Sequence, residues 1–297
     1  MNIRLFLFSV HRSAFIVLFA LACARTETPA TTRDDLNRAV TLPPRIDRVI
    51  TLAPNLTEIV YAIGAGDRIA GTDDFSDEPA SARKLPKVGG MEPNIEKIVA
   101  LKPDLVLATT NGNHPNLAPA LAAVHIPLFV VRTDRLDEVP QAMERIAEIL
   151  GVQSAAPASL RAAIAKQKRT RAHAPRVMFA VWADPLYVAG RKTFSDDLFR
   201  LTGADNAVPL DGWPQYSMET LVANPPDLIL HATKPVSRAQ LEKILDVAPE
   251  LKKRVSIVGV DENLFTRPGP RVSLAAEELN RILDELILRR EAPKDLR

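Results

Sequence analysis

An internal duplication constrains this chain more than any other feature. The segment NIEKIVALKPDLVLATT at 94–110 returns as SMETLVANPPDLILHAT at 217–233, with eight of 17 positions identical at a constant offset of 123 residues. Each copy begins with apolar residues at helical spacing, passes through Pro-Asp and enters a short continuous apolar run, Leu105-Val106-Leu107 or Leu228-Ile229-Leu230. Proline stops the helix, and an unbroken apolar strand suits a parallel sheet covered on both faces. A weaker echo lies upstream of each copy. Arg48-Val49 and Arg176-Val177 both open strands, and the helices that follow end at Gly64-Ala65-Gly66-Asp67 and Gly203-Ala204-Asp205. Two copies at one offset predict an α/β fold of two similar Rossmann-like lobes with a ligand cleft between them.

The ends of the chain are different in kind. Arg4 and Arg12 precede an apolar run from Ala14 to Ala22 that stops at Cys23, the sole cysteine. A basic start, a short apolar core and small residues before a cut site describe an export signal, too short to span a membrane as a helix. Cys23 reads as the lipid-modified first residue of a bacterial lipoprotein, with plain cleavage at Ala22-Cys23-Ala24 as the alternative. One cysteine excludes an intrachain disulfide, so the fold rests on its core. Without residues 1–22 the chain holds 36 basic and 36 acidic residues. That balance favours neither nucleic acid nor an anionic surface as partner.

The expected plan is a signal over 1–23, a threonine- and proline-rich flexible tether over 24–45, a first lobe over 46–152, a connecting helix over 153–174, a second lobe over 175–290 and a tail over 291–297. The connector is expected to be helical because LRAAIAKQKRTRA, at 160–172, lacks glycine and proline. A single long helix between lobes predicts small relative motion. Within the first lobe, Pro54-Asn55-Leu56 is expected to turn the chain before a helix that Gly64 ends.

Catalytic signatures are missing. Gly64-Ala65-Gly66 follows a helix where a phosphate loop must precede one, and neither Gly-x-Ser-x-Gly nor a P-loop pattern occurs. The five histidines form no close pair, and no metal-ligand set assembles. A secreted hydrolase is therefore the remote alternative, and no cofactor is expected. The aromatics say more. Phe75, Trp182, Tyr187, Trp213, Tyr216 and Phe265 all fall in segments that read as loops after strands, where open α/β sheets bind ligands. Both tryptophans have proline neighbours, which suits a rigid, broad apolar surface. Glu96 and Glu219 occupy the same position in the two repeats. They are either helix-start carboxylates favoured by the dipole or symmetric contacts for a two-fold basic partner.

RVITLAPNLTEIVYAIGAGDRIAG, FSDEP, LPKVGG and NIEKIVALKPDLVLA, followed by PLYVAGRKTFSDDLFRLTGADNAV, GWPQYSMETL and FTRPGPR, resemble the class III periplasmic binding proteins. That family serves ABC importers of cobalamin, haem and ferric siderophores, and the resemblance runs from about Arg45 to Leu288. Asp184-Pro185 through Gly212-Trp213-Pro214-Gln215 is most similar to the cobalamin-binding members. The resemblance implies a monomeric, non-enzymatic carrier that delivers a corrinoid to a membrane permease dimer. It implies that Glu96 and Glu219 dock onto permease arginines, and that Phe75, Tyr187 and Trp213 face the ligand. Pro54 and Asn55 would approach the ligand through their backbone, and Arg267 would line the cleft, with Trp182 and Phe265 among the aromatic walls. The stretch Val88-Gly89-Gly90-Met91-Glu92 lacks the tryptophan that the cobalamin binders carry there, which removes one stacking surface. For an anionic siderophore, Arg191, Arg267 and Arg271 could supply charge. Haem would call on Tyr187, Tyr216 or His114 as axial ligand.

Overall fold

The computed structural model describes residues 30–110, 116–234 and 236–291. Along the chain lie strands β1 (Ala30–Arg33), β2 (Ala39–Leu42) and β3 (Val49–Thr51), helix α1 (Pro54–Ala62), β4 (Ile69–Thr72), α2 (Ile95–Ala100), β5 (Leu105–Thr109), α3 (Leu117–Ala123), β6 (Leu128–Val131), α4 (Glu138–Ile149) and α5 (Ala156–Lys166). Then follow β7 (Arg176–Ala183), β8 (Leu186–Val188), α6 (Phe194–Leu201), β9 (Asp205–Asn206), α7 (Met218–Ala223), β10 (Leu228–Ala232), α8 (Arg238–Leu245), α9 (Pro249–Arg254), β11 (Ser256–Val260), α10 (Glu262–Phe265) and α11 (Val272–Glu291).

The duplication is visible in the sheets. The first lobe has a parallel sheet in the order β4-β3-β5-β6. The second repeats it as β9-β7-β10-β11, also parallel, with β8 added antiparallel along the far half of the β7 edge. The repeated Pro-Asp does the same work twice. Asp104 accepts the backbone amides of Asp47 and Arg48, each at 2.8 Å, and Asp227 accepts that of Arg176 at 2.7 Å. Each aspartate thereby pins the start of its lobe's central strand. Each repeat's helix is capped alike, Asn94 accepting from Lys97 N and Ser217 from Thr220 N.

Strand alternation explains why the apolar runs are continuous. Val49, Leu105, Leu107, Phe129 and Val131 face one way and join a core shared with Val177, Phe179, Leu228 and Leu230 of the second sheet. Their neighbours Ile50, Val106, Ala108 and Val130 face the opposite way, against α2 and α3. In the second lobe Met178, Ala180 and Ile229 face outward, with Leu221, Leu241 and Leu251 from α7, α8 and α9. Helices α1, α4, α5, α6 and α11 therefore fill a central layer common to both sheets.

Three expectations need correction. The segment 24–45 is no tether beyond residue 29, because β1 and β2 form an antiparallel hairpin with Val40 and Leu42 buried. Buried Asp34 organises its turn through Leu36 N, Arg38 N and the Arg38 guanidinium, and Asp35 accepts from Arg132 N at 2.7 Å, which fastens the hairpin beside β6. The connecting helix is also shorter than 153–174. It ends at Lys166, because Arg169 N donates instead to Leu201 O and the next residues run along the end of α6. Gly203 permits that approach, since a Cβ there would lie 2.9 Å from the Arg169 carbonyl oxygen. Finally, Pro54-Asn55-Leu56 belongs to α1 rather than to a turn before it, with Pro54 at the helix start, where its missing N–H costs nothing. Gly64, at φ +88°, follows the end of that helix as expected.

Candidate ligand-binding cleft

The carboxyl ends of both parallel sheets open onto one cleft of about 610 Å³. From the first lobe it takes Ala53 and Asn55 after β3, Thr109 at the end of β5, and Thr133 and Asp134 after β6. The second lobe contributes Lys192, Thr193 and Phe194 around the start of α6, then Gly212 and Trp213, and Phe265, Thr266 and Pro268 after β11. Strand ends converge here because the chain leaves every parallel strand of a lobe on the same side. Asn55 is buried and donates to Thr133 Oγ1 at 3.0 Å and to Pro268 O at 3.1 Å, so it joins the two lobes at the cleft floor.

Trp213 is held by its loop while its indole stays half exposed. Gly190 N donates to Gly212 O at 2.8 Å, Arg191 N to Leu210 O at 2.7 Å and Gly212 N to Arg191 O at 2.8 Å. A Cβ at Gly190 would meet Leu210 O at 2.2 Å, so this double crossing requires glycine. We expect Gly190→Ala to misplace Trp213 and weaken ligand binding at least as much as loss of that side chain, measured by titration calorimetry on protein shown to be folded by circular dichroism.

Further aromatics continue the surface beyond the cleft. Trp182 pairs with Tyr187 across the β7–β8 hairpin, and Tyr187 bridges to Gln215 beside Trp213. Trp182, Tyr187 and Trp213 are all exposed. On the first lobe, exposed Phe75 lies over Gly90, where a Cβ would come within 3.1 Å of its ring. A buried chain of hydroxyls supports the Phe75 loop: Thr51 to Thr57 at 2.6 Å, Thr57 to Ser76 at 2.7 Å, and Ser76 to Asp73. Burial pushes the Asp73 carboxyl above its ordinary range, against the opposing pull of Ser76, the Phe75 amide and Lys87.

Carboxylate–arginine pairs cross between lobes next to the cleft. Glu58, buried on α1, takes Arg271 in a two-pronged contact of 2.7 and 2.8 Å. Arg267 pairs with Asp77 at 2.5 Å, lies 3.9 Å from Glu58 and donates to Phe75 O. On the opposite side Arg135 grips Asp197, with Nε to Oδ2 at 2.6 Å, and Leu136 N donates to the same carboxylate. Partial burial opposes ionisation of Asp77, but the Arg267 hydrogen bond and charge outweigh it and hold its pKa below the ordinary value. A depressed carboxyl pKa contributes stability above the unfolded value that is lost as pH falls through the folded one. The Asp77–Arg267 link is therefore intact at neutral pH, and we expect ligand affinity to stay flat from pH 8 to 5 and to fall only below about pH 4.

Among the sequence-selected residues, Asn55, Trp213 and Phe265 lie in the cleft wall, and Pro54 sits between wall residues Ala53 and Asn55. Phe75, Trp182 and Tyr187 lie outside that wall, on the exposed surfaces just described. Phe265 is not the exposed loop residue expected. It ends α10, is buried, and its ring centroid lies 6.2 Å from that of Phe179. Tyr216 is likewise buried, packed with Leu186 and Leu221, because its amide bonds to Leu186 O and draws it under β8. Arg267 lies in the expected loop, but its guanidinium is engaged by Asp77 and Glu58. None of the arginines considered for an anionic siderophore is among the described residues of the cleft wall: Arg191 pairs with Asp211, Arg267 with Asp77 and Arg271 with Glu58. Glu96 and Glu219 stand exposed in the first turns of α2 and α7, as the repeat requires. Cys23 and His114 lie outside the described residues. Sequence reasoning missed Thr109, Thr133, Asp134, Lys192, Thr193 and Thr266. Thr109 ends an apolar strand and Thr133 and Asp134 closely follow one, and that position was the signal that could have found them.

Two similar α/β lobes clasping a cleft at their strand ends are the architecture of a substrate-binding protein. A family model for periplasmic binding proteins matches residues 49–253, and the chain belongs to that family. A vitamin B12-binding protein of Yersinia pestis (strain Pestoides F) is 30% identical over 253 residues, spanning 81% of this chain and 88% of the relative. Among solved structures, a periplasmic heme-binding protein, RhuT from Roseiflexus sp. RS-1, is 25% identical with a TM-score of 0.72, over 81% of this chain and 99% of that one. The periplasmic vitamin B12 binding protein BtuF of Vibrio cholerae shares the fold at 24% identity and a TM-score of 0.63, covering 81% of this chain and 98% of its own. Proteins of this kind supply ABC importers.

Proposed function

We propose that this protein captures a corrinoid of the cobalamin type outside the inner membrane and delivers it to an ABC permease. The observation that carries the reading is the chemistry of the cleft wall. Half-exposed Trp213 offers an apolar face, and Asn55 with Thr109, Thr133, Thr193 and Thr266 gives the rest of the wall an amide and hydroxyl lining. A corrinoid presents a broad macrocycle edged with amides, and apolar area removed from water is worth about 25 cal/mol/Å². The exposed aromatics Phe75, Trp182 and Tyr187 suit a ligand larger than the cleft itself. The relative named as a vitamin B12-binding protein supports the same choice. Residues 24–297 mixed with cyanocobalamin and desalted are expected to elute with the corrinoid at one-to-one. A colourless protein peak would remove the corrinoid reading.

Haem is the second reading, favoured by the heme-binding neighbours of similar fold. A protein axial ligand to haem iron is normally histidine, tyrosine, cysteine or methionine. Among the described residues the cleft wall contains none of these. Hemin titration should therefore give no sharpened Soret band. A sharp band that His114→Ala abolishes would transfer the assignment to haem.

Delivery is assigned to Glu96 and Glu219, exposed at equivalent positions of the two lobes. Reversing both charges should leave corrinoid affinity within about twofold and cut uptake by about tenfold, since exposed charges act on docking rather than on a distant cleft. Equal loss of ligand binding would put the carboxylates in the cleft. Export through the N-terminal signal and lipidation at Cys23 complete the proposal. Cys23→Ala should abolish incorporation of a labelled fatty acid.

A further inference from the structure

We infer that Lys192 reads the negative charge on the ligand, and that in a corrinoid this charge is the phosphodiester of the nucleotide arm. The inference rests on the corrinoid reading and adds a basis for discrimination within that class. Among the described residues of the cleft wall Lys192 is the one cation. Its backbone occupies the left-handed region at φ +60°, unusual for a lysine, and its amide is held by the Asp196 carboxylate at 3.2 Å. The glycine-dependent crossing of 190–192 with 210–212 fixes it beside Trp213. The turn thus places a flexible ammonium at the edge of the aromatic wall.

The state of its partner makes the ammonium available. Lys192 Nζ lies 2.7 Å from Asp211, and the lysine side chain is 72% exposed, so this pair is weak and exchangeable. Arg191 Nε lies 3.4 Å from the other oxygen of the same carboxylate. When Lys192 turns to an incoming anion, Asp211 keeps a cation. The ion pair therefore stores Lys192 at the cleft edge without committing it. A hydrogen bond to a charged group contributes more than a neutral one and is lost when the ligand lacks the charge.

The test compares cyanocobalamin, which carries the phosphodiester, with dicyanocobinamide, which does not, by titration calorimetry on the full mature protein. Wild-type protein should bind cyanocobalamin about tenfold more tightly, with the preference shrinking as salt rises. In Lys192→Met cyanocobalamin affinity should fall about tenfold more than cobinamide affinity, and Lys192→Arg should restore most of the preference. If the methionine variant weakens both ligands equally, or neither, Lys192 does not read the phosphodiester while the corrinoid assignment stands. If wild-type protein binds neither corrinoid, both inferences fall together.

Discussion

Trp213→Ala should weaken corrinoid binding by about 30- to 100-fold, corresponding to the roughly 2–3 kcal/mol that truncation of a central interface aromatic costs. Trp213 is 49% exposed, so the fold does not depend on its burial. Its loop is fixed by backbone hydrogen bonds that the substitution leaves in place. The variant should accordingly melt with the wild type, and the whole effect should lie in affinity. Rigidity matters as much as area, because a side chain already held at the wall pays little ordering cost when ligand arrives. Trp182→Ala, on the adjoining hairpin outside the wall, should cost several-fold less. Calorimetric titration of both variants separates the cases. Equal affinity in Trp213→Ala and wild type would mean that the ligand does not lie against this wall.

The lobes were legible because their strands are buried on both faces. Leu105-Val106-Leu107 and Leu228-Ile229-Leu230 sit between two cores, so no polar residue is tolerated and the repeat survives as a readable pattern. Asp104 and Asp227 were legible as repeats for a related reason, since each accepts backbone amides at the start of its lobe's central strand, two at Asp104 and one at Asp227. The hairpin at the start was hidden by its threonines and charges, although Val40 and Leu42 already alternated with polar neighbours at strand spacing.

The connector shows where local propensity fails. Residues after Lys166 favour helix on composition, yet Leu201 O takes the Arg169 amide and a tertiary contact overrides them. The aromatic walls were only half readable, because exposure depends on what covers a loop. Trp213 is left open, whereas Tyr216, three residues on, is drawn under β8. The stretch at Gly90 carries no tryptophan, as the sequence reads. Phe75 lies against that glycine.

Arg271→Met should lower stability by about 3 kcal/mol, which is a fall of roughly 6–12 °C in melting temperature for a chain of this size. Glu58 and Arg271 are 213 residues apart, and no sequence pattern linked them. The Glu58 side chain is 5% exposed, so removing its partner leaves a carboxylate buried without its two-pronged donor. Arg267, at 3.9 Å and already bound to Asp77, is a poor substitute. The Glu58 hydrogen bond, with its charge, also raises the Arg271 pKa despite partial burial, so the guanidinium remains charged across the working range. Exposed Arg281, paired with Glu285 on α11, supplies the contrast, and Arg281→Met should cost no more than about 0.5 kcal/mol. Adding Glu58→Gln to Arg271→Met should recover much of the loss, because it removes the stranded charge rather than restoring a contact. The same pair ties α1 to the residue before α11, beside the Asp77–Arg267 and Arg135–Asp197 links and the shared core. Ligand affinity should therefore fall with stability in Arg271→Met. A variant that melts with the wild type would show that Glu58 is solvated and that this bond does not hold the lobes together.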